Sequence, residues 1–166
     1  MSQRQRTLHW SDPQATAAAA AGLSGLDFLR AMLAGEVPPA SIQQTMNFFL
    51  HEVDEGRVVM RGRAGEELCN PLGQVHGGFY GAILDSAMGC AIHATLPLKW
   101  SYTTLEYRVN MVRAIRPDTG DVFAEGKVLH RGRQIATADG RLIDRDGRLY
   151  AHGLTTCLLF SPKEHR

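Results

Sequence analysis

Apolar side chains recur at three- and four-residue spacing between Gly78 and Leu96, and this periodicity predicts a helix. The positions that carry the pattern are Tyr80, Ile83, Leu84, Ala87, Met88, Ala91 and Ile92. Pro97 comes directly after the pattern and predicts the end of the helix, because proline cannot continue the intrahelical hydrogen bonds. The sequence therefore predicts one long helix near the middle of the chain.

Residues that alternate between apolar and polar predict β-strands on both sides of this helix. Before it, strands over Met46 to Val53 and Arg57 to Ala64 enclose the turn Asp54-Glu55-Gly56 and predict a hairpin. After it, turn sequences separate four further predicted strands, which are Trp100 to Val112, Val122 to His130, Gln134 to Ile143 and Leu149 to Phe160. Because consecutive strands joined by short turns run antiparallel, we expect an α+β fold in which a meander-like sheet of about five to six strands lies against the long helix.

The N-terminal part of the chain predicts helical segments outside this sheet. Ser24 can cap a short helix over Gly25 to Ala34, and Gly35 can stop it. The alanines before this helix predict an arm that is frayed or helical, and the two prolines after it predict an extended linker. We therefore expect an arm over residues 1–23, a single domain over residues 24–160 and a tail over residues 161–166.

The segment Asn70-Pro71-Leu72-Gly73-Gln74-Val75-His76-Gly77-Gly78 leads into the long helix and predicts an oxyanion site. Gly77 and Gly78 leave their backbone N–H groups unobstructed where the helix begins. A helix start presents unpaired donors and the positive end of the macrodipole, and both stabilise developing negative charge. We therefore expect this end of the helix to bind a substrate oxygen.

Asp85 is a carboxylate inside the predicted helix, and Gly81 and Gly89 lie one turn from it on either side. A glycine in a helix interior destabilises the helix by about 1 kcal/mol relative to alanine. Two glycines beside a carboxylate therefore indicate a structural or functional need for small residues at these positions. With other small residues of the helix they form a strip that would let a ligand or another backbone approach Asp85. The alternative is a seam for tight packing in which Asp85 is merely solvated.

Gly77 and Asp85 are eight residues apart, and a rise of about 1.5 Å per residue separates them by about 12 Å along the helix axis. One reacting carbonyl cannot contact both, since an acyl-transfer site needs each group within about 3 Å. A second copy with its helix antiparallel would bring its Gly77 to face Asp85 and would complete two composite sites. The sequence therefore predicts an obligate dimer.

Composition and charge narrow the class of protein. The 166 residues carry a formal net charge of +1 with both signs interspersed, so we expect no nucleic-acid partner. No stretch approaches the roughly 18 continuous apolar residues of a membrane span, so we expect a soluble protein without a membrane partner. Three cysteines without a CxxC pair favour a reducing compartment, for which the cytoplasm is the default. Cys90 and His93 have no second pair of ligands at comparable spacing, so we expect no metal site.

The order and spacing of four fragments resemble those of the hotdog-fold thioesterases, and most of all the PaaI-like subgroup of the phenylacetate-degradation type. The likeness runs from about Gly25 to Leu159, and its densest matches are Asn70 to Gly78, Leu84-Asp85, Thr103-Thr104-Leu105-Glu106 and His130-Arg131-Gly132-Arg133. The resemblance implies a hotdog fold, in which a long central helix is wrapped by an antiparallel sheet, and an enzyme that hydrolyses acyl-CoA thioesters. It implies no cofactor besides the coenzyme A of the substrate, and homodimers that often assemble into tetramers.

The resemblance also implies a role for each site residue. The Gly77 N–H would polarise the thioester carbonyl, and the partner's Asp85 would attack that carbonyl or activate water. Asn70 and His76 would help to order the site, although His76 is open to a second interpretation, as a cap or brace of the turn. Thr104 on the following strand would orient the carboxylate or the water. Whether Asp85 forms an anhydride or works through water stays open.

The turn Arg131-Gly132-Arg133 is a candidate for binding the phosphates of coenzyme A, because a planar guanidinium suits phosphate. A solvated hairpin turn is the other interpretation. Thr103 is the alternative to Thr104, although it faces the other way if the strand is regular.

Other functions stay open at this point. A noncatalytic dimer that binds or senses acyl-CoA would keep the fold and the groove, although an anion beside a thioester serves hydrolysis better than binding. A hotdog hydratase would need a histidine five residues after Asp85, where Cys90 stands. A cysteine hydrolase built on Cys69 or Cys90 would need a paired base and an oxyanion partner. The sequence leaves the acyl group, aromatic or medium-chain, undecided.

Overall fold

The computed structural model describes residues 3–162, which form four α-helices, a short 3-10 turn and six β-strands. The helices are α1 (Pro13–Ala20), α2 (Gly25–Leu33), α3 (Ser41–Met46) and α4 (Gly77–His93), and the 3-10 turn covers Glu66–Leu68. The strands are β1 (Phe48–Asp54), β2 (Arg57–Gly62), β3 (Ser101–Met111), β4 (Val122–Arg131), β5 (Ile135–Asp144) and β6 (Leu149–Phe160). In this part of the chain, no helix has the length and apolar character needed to cross a membrane.

The six strands form one antiparallel sheet in the order β1-β2-β4-β5-β6-β3. The α+β architecture with its antiparallel sheet, expected from the sequence, is confirmed. The meander is wrong in one respect, because β3 pairs with β6 and not with β4. Strands β1 and β3 therefore form the two edges of the sheet. The connection over residues 112–121 leads from β3 past β6 and β5 to β4.

Helix α4 packs on one face of the sheet and provides the centre of the core. Its buried residues include those that the apolar spacing predicted, namely Tyr80, Ile83, Leu84, Ala87, Met88, Ala91 and Ile92. Two glycines of the sheet allow a close approach, since a side chain at Gly126 would strike the Ala87 carbonyl and one at Gly140 would strike Met88. The helix backbone therefore lies directly against β4, and side chains of the helix pack closely on β5.

The predicted elements match the observed ones within a few residues at their ends. Ser24 caps α2 as expected, and α4 begins and ends slightly earlier than the periodicity indicated. Helix α3 was not expected, because its six residues make less than two turns, too few for a periodicity to show. The division into arm, domain and tail stays a prediction, and residues 1–2 and 163–166 of the arm and the tail lie outside the described residues.

Candidate active site

His76 is the N-cap of α4. Its Nδ1 accepts a hydrogen bond from the Gly78 N–H at 2.9 Å, and its carbonyl accepts one from the Phe79 N–H at 3.0 Å. The His76 N–H donates to the Leu68 carbonyl at 2.8 Å, which ties the helix start to the 3-10 turn. His76 therefore caps and braces the turn, which is the second of the two interpretations of this residue.

Asn70 organises the loop that leads into α4. Its side-chain Oδ1 accepts hydrogen bonds from the Leu72 N–H at 2.9 Å and the Gln74 N–H at 3.2 Å. Gly73 completes the turn with φ +77°, a left-handed conformation that favours glycine. The bonds of Asn70 thus hold the backbone that precedes His76.

The Gly77 N–H is the open donor at the helix start. The neighbouring Gly78 N–H already binds His76, so the second donor expected from the sequence is used inside the chain. Within residues 3–162, no acceptor forms a hydrogen bond with the Gly77 N–H. A Cβ at Gly77 would lie 3.1 Å from the sulfur of Met111, so the end of β3 borders this amide. The unpaired amide that an oxyanion site requires is thus present at Gly77.

Asp85 projects from α4 towards β3, where the Thr104 hydroxyl donates a hydrogen bond to its Oδ1 at 3.0 Å. A β-bulge at Leu105 shifts the register with β6 between Thr104 and Glu106. Because the bulge changes the alternation of side chains, Thr104 before it and Tyr107 after it both face α4. Of the two adjacent threonines, Thr104 is the one that meets the carboxylate.

Burial raises the pKa of Asp85 above the ordinary aspartate value, because it removes water from the charged form. The hydrogen bond from Thr104 acts in the opposite direction and lowers that pKa. None of the ion pairs among the described residues includes Asp85. Its carboxylate is therefore a stronger base than that of a solvated aspartate.

Two thiols lie near the same carboxylate, and both are held in the protonated form. Burial, with the charge of Asp85, raises the pKa of Cys90 to about 12. Burial also raises the pKa of Cys157, whose sulfur lies 3.8 Å from the Thr104 hydroxyl. Since the thiolate is the nucleophilic form, this environment argues against a cysteine hydrolase centred on Cys90.

The two glycines that flank Asp85 are covered by tyrosines of β3. A Cβ at Gly81 would lie 3.0 Å from the Tyr107 hydroxyl, and one at Gly89 would lie 2.8 Å from the Tyr102 hydroxyl. These glycines therefore make room for side chains of the same chain, which agrees with the packing part of the alternative interpretation but not with a merely solvated Asp85. Asp85 lies between them and is half-buried.

The open amide and the carboxylate stand on one unbroken helix, so the separation of about 12 Å deduced from the helical rise applies. Strand β3 runs beside α4, with Met111 near Gly77 and Thr104 near Asp85. One side of β3 pairs with β6, and its other side forms the sheet edge. A single chain therefore does not bring the amide and the carboxylate to one reacting group.

The turn proposed to bind phosphate joins β4 to β5. The Arg131 guanidinium lies over the Trp100 ring, 5.2 Å from its centroid, and Arg133 is exposed. The Gly132 N–H closes the turn with a 2.8 Å hydrogen bond to the first residue of β5. The strand register places this turn at the end of the sheet where β3 begins, nearer to the carboxylate than to the open amide of its own chain.

The hydrogen bonds of Tyr80 were not expected from the sequence, because its spacing indicated only a position on the apolar face of the helix. Its hydroxyl donates to the Arg113 carbonyl at 3.1 Å and accepts from the Ile115 N–H at 2.5 Å. The Ile115 carbonyl accepts in turn from the Val75 N–H at 3.1 Å. These bonds connect the β3–β4 crossover to the residue two before Gly77. The hydroxyl group itself could have indicated these contacts, since a buried tyrosine hydroxyl needs a hydrogen-bond partner.

Residues 72–151 match the family model of the thioesterase superfamily. The matched stretch begins in the loop before α4 and ends in β6, so it contains Gly77, Asp85 and Thr104.

The chain is also similar to individual proteins. A phenylacetic acid degradation-related protein from Ralstonia eutropha JMP134, described as a thioesterase, shares 30% identity at a TM-score of 0.71, over 78% of this chain and 98% of that one. The PaaI protein from the phenylacetic acid degradation operon of Escherichia coli has the same fold at 17% identity and a TM-score of 0.71, over 84% of this chain and 96% of that one. A protein of Halobacterium salinarum named as an esterase is 25% identical over 116 residues, 68% of this chain and 76% of its own length.

Proposed function

This chain belongs to the thioesterase superfamily, and from that premise we propose that it hydrolyses acyl-CoA thioesters to a free acid and coenzyme A. The observation that carries the proposal is the half-buried Asp85 carboxylate, oriented by Thr104 and made more basic by burial. The names of the relatives from Ralstonia eutropha and Escherichia coli refer to phenylacetic acid degradation, which favours an aromatic acyl group. A medium-chain acyl group is the alternative.

The proposed site is composite and needs two protomers. In an antiparallel pair of α4 helices, Gly77 of one protomer faces Asp85 of the other. An exposed sheet edge beside α4 supports this pairing, because β3 carries solvent-exposed apolar side chains, namely Leu105, Tyr107 and Met111. Two such dimers assembled further would make the tetramer that the resemblance implies.

In the proposed reaction, the partner's Gly77 N–H donates to the thioester carbonyl oxygen, and the helix dipole favours the negative charge that develops there. Asp85 adds to the carbonyl carbon, or takes a proton from a water molecule that adds to it. By either route one water molecule is consumed, a C–O bond replaces the C–S bond, and the sulfur gains a proton. His76 and Asn70 act through the loop that positions Gly77 and do not touch the substrate.

We assign the phosphates of coenzyme A to the turn Arg131-Gly132-Arg133. The stacking of Arg131 on Trp100 limits the freedom of the guanidinium, so less entropy is lost when a phosphate binds. No cofactor besides the coenzyme of the substrate enters the proposal.

Thiol release from a panel of aromatic and medium-chain acyl-CoA esters tests this function. Asp85→Asn keeps the size of the side chain and removes the base or nucleophile, so we expect kcat to fall by about 10²–10⁴-fold. Asp139→Asn is the matched control, since Asp139 is a half-buried aspartate of β5 outside the proposed site. The control should keep the full rate.

Two substitutions at Gly77 test the oxyanion donor separately. Gly77→Pro removes the N–H at the first helical position, where proline is well tolerated, and His76 with ψ 143° already has the extended conformation that proline requires before it. Gly77→Ala keeps the N–H. We expect a loss in kcat of about 10²–10³-fold for the proline variant and a much smaller loss for the alanine variant.

The same panel identifies the alternative function. If the wild-type protein binds acyl-CoA esters in calorimetry and releases no thiol from any of them, the chain is a noncatalytic acyl-CoA-binding dimer, and hydrolysis is rejected. Release of thiol that survives Asp85→Asn would reject the assigned role of the carboxylate.

A further inference from the structure

The sheet carries a second group of charged side chains that the proposed hydrolysis does not use. Asp121 precedes β4, and its side chain is only 2% exposed. It pairs with three arginines, which are Arg61 at 2.7 Å, Arg63 at 2.9 Å and Arg145 at 2.9 Å. Two of them lie at the end of β2 and one in the β5–β6 turn, so distant parts of the sequence converge on one carboxylate.

One carboxylate neutralises one of three guanidinium charges, so this cluster keeps a net charge of +2. In the neighbouring turn, Asp144 and Asp146 share the single guanidinium of Arg148, so this turn adds a charge of −1 and the combined region carries +1. A guanidinium has five N–H donors, and Arg63 and Arg145 are each seen to use one of theirs on Asp121. The three arginine side chains are 50%, 62% and 72% exposed, so their remaining donors are accessible to a ligand.

An open cavity of about 320 Å³ lies beside two of these arginines. Its charged lining consists of Arg61, Arg63 and Asp121, and its aromatic lining consists of Phe49 and His51 on β1. This volume lies within the range of small-ligand pockets, about 300–1,000 Å³. The cavity thus offers cationic donors and aromatic rings to one ligand.

We propose that this cavity binds a phosphomonoester attached to a planar ring, of the nucleoside monophosphate type. The net positive charge that remains attracts a phosphate dianion, and the phosphate oxygens suit the forked donors of Arg61 and Arg63. The planar ring packs on Phe49 or His51. Because Arg61 alternates with the buried residues Met60 and Gly62, it points to the sheet face opposite α4. The site is therefore separate from Asp85.

Calorimetric titration with adenosine monophosphate, inorganic phosphate and adenosine tests this site. We expect the nucleotide to bind most tightly, since it alone supplies both the dianion and the ring. Arg63→Gln leaves two arginines on Asp121 and should weaken nucleotide binding by about tenfold or more, the effect of one lost charge-assisted contact. Arg148→Gln is the matched control, because it changes an exposed arginine of the same region that pairs with Asp144 and not with Asp121. Its nucleotide affinity should equal that of the wild type.

Three results would overturn the proposal. The first is the absence of adenosine monophosphate binding at millimolar concentration, and the second is an equal affinity in the wild type and in Arg63→Gln. The third is competitive, Arg63-dependent inhibition of thiol release by adenosine 3′,5′-bisphosphate, which would assign the cluster to the coenzyme of the substrate. Arg63→Gln should keep the wild-type rate of thiol release, so a failure to bind nucleotide leaves the proposed hydrolysis intact.

Discussion

The surroundings of Asp85 decide what this aspartate can do. Burial between α4 and β3 raises its pKa, and the Thr104 hydroxyl holds one carboxylate oxygen. Because the folded state then holds a proton more tightly than the unfolded chain, the stability that Asp85 contributes is greatest below the unfolded pKa and is lost as the pH rises through the folded pKa. The charged form of Asp85, which the proposed reaction needs, therefore lowers the stability of the folded state. Such a loss of stability in favour of activity is common at functional sites.

At the same residue, Thr104→Val should move the acid limb of the pH–rate profile to higher pH. The hydrogen bond from Thr104 lowers the pKa of Asp85, so its loss leaves the effect of burial unopposed. The deprotonated carboxylate is the active form, so kcat/KM should fall as the pH drops through this pKa. Thr103→Val changes an exposed neighbour on β3 and should leave the limb in place. An unshifted limb in Thr104→Val would mean that another group controls the profile.

At the scale of elements, α4 is positioned by what meets its first turn. His76 caps the helix, Asn70 holds the loop before it, and Tyr80 ties the β3–β4 crossover to it. The cap, the loop and the crossover all meet at the segment that presents Gly77. The direction of the Gly77 N–H thus depends on hydrogen bonds made by residues that do not touch the substrate in the proposed reaction.

Tyr80→Phe should destabilise this assembly. The change leaves the Ile115 N–H, on a residue that is 1% exposed, without its acceptor, and an unsatisfied buried donor costs about 1–3 kcal/mol. Urea denaturation should show this loss in the free energy of unfolding. Tyr107→Phe is the comparison, since within the described residues the Tyr107 hydroxyl contacts Gly81 and forms no hydrogen bond, and its effect should stay below about 0.5 kcal/mol. Equal unfolding curves for the wild type and Tyr80→Phe would contradict this account.

At the scale of the whole molecule, the order of the strands places β3 at the sheet edge beside α4. A strand edge with exposed apolar side chains is a surface on which a second copy can pair. The proposed dimer follows from this edge together with the distance between Gly77 and Asp85 along one helix. Each half of the site would then come from a different protomer.

Mixing two inactive variants tests this arrangement directly. A heterodimer of Asp85→Asn and Gly77→Pro protomers has one site with both native groups and one site with neither. Random exchange makes about half of the dimers mixed, with one of two sites intact, so about a quarter of the wild-type thiol release should return. Native mass spectrometry verifies the exchange. Heterodimers without recovered activity would show that each site is built within one chain.

Local spacing in the sequence was sufficient for the six strands, for α2 and α4, and for the candidates Gly77 and Asp85, because residues within a few positions set helical and strand periodicity. The neighbour of β3, the bulge that turns Thr104 towards Asp85, and the tyrosines that cover Gly81 and Gly89 were decided only by the tertiary structure. They depend on contacts between residues far apart in the chain. The raised pKa of Asp85 belongs with them, because burial is a property of the packed molecule and not of the residue type.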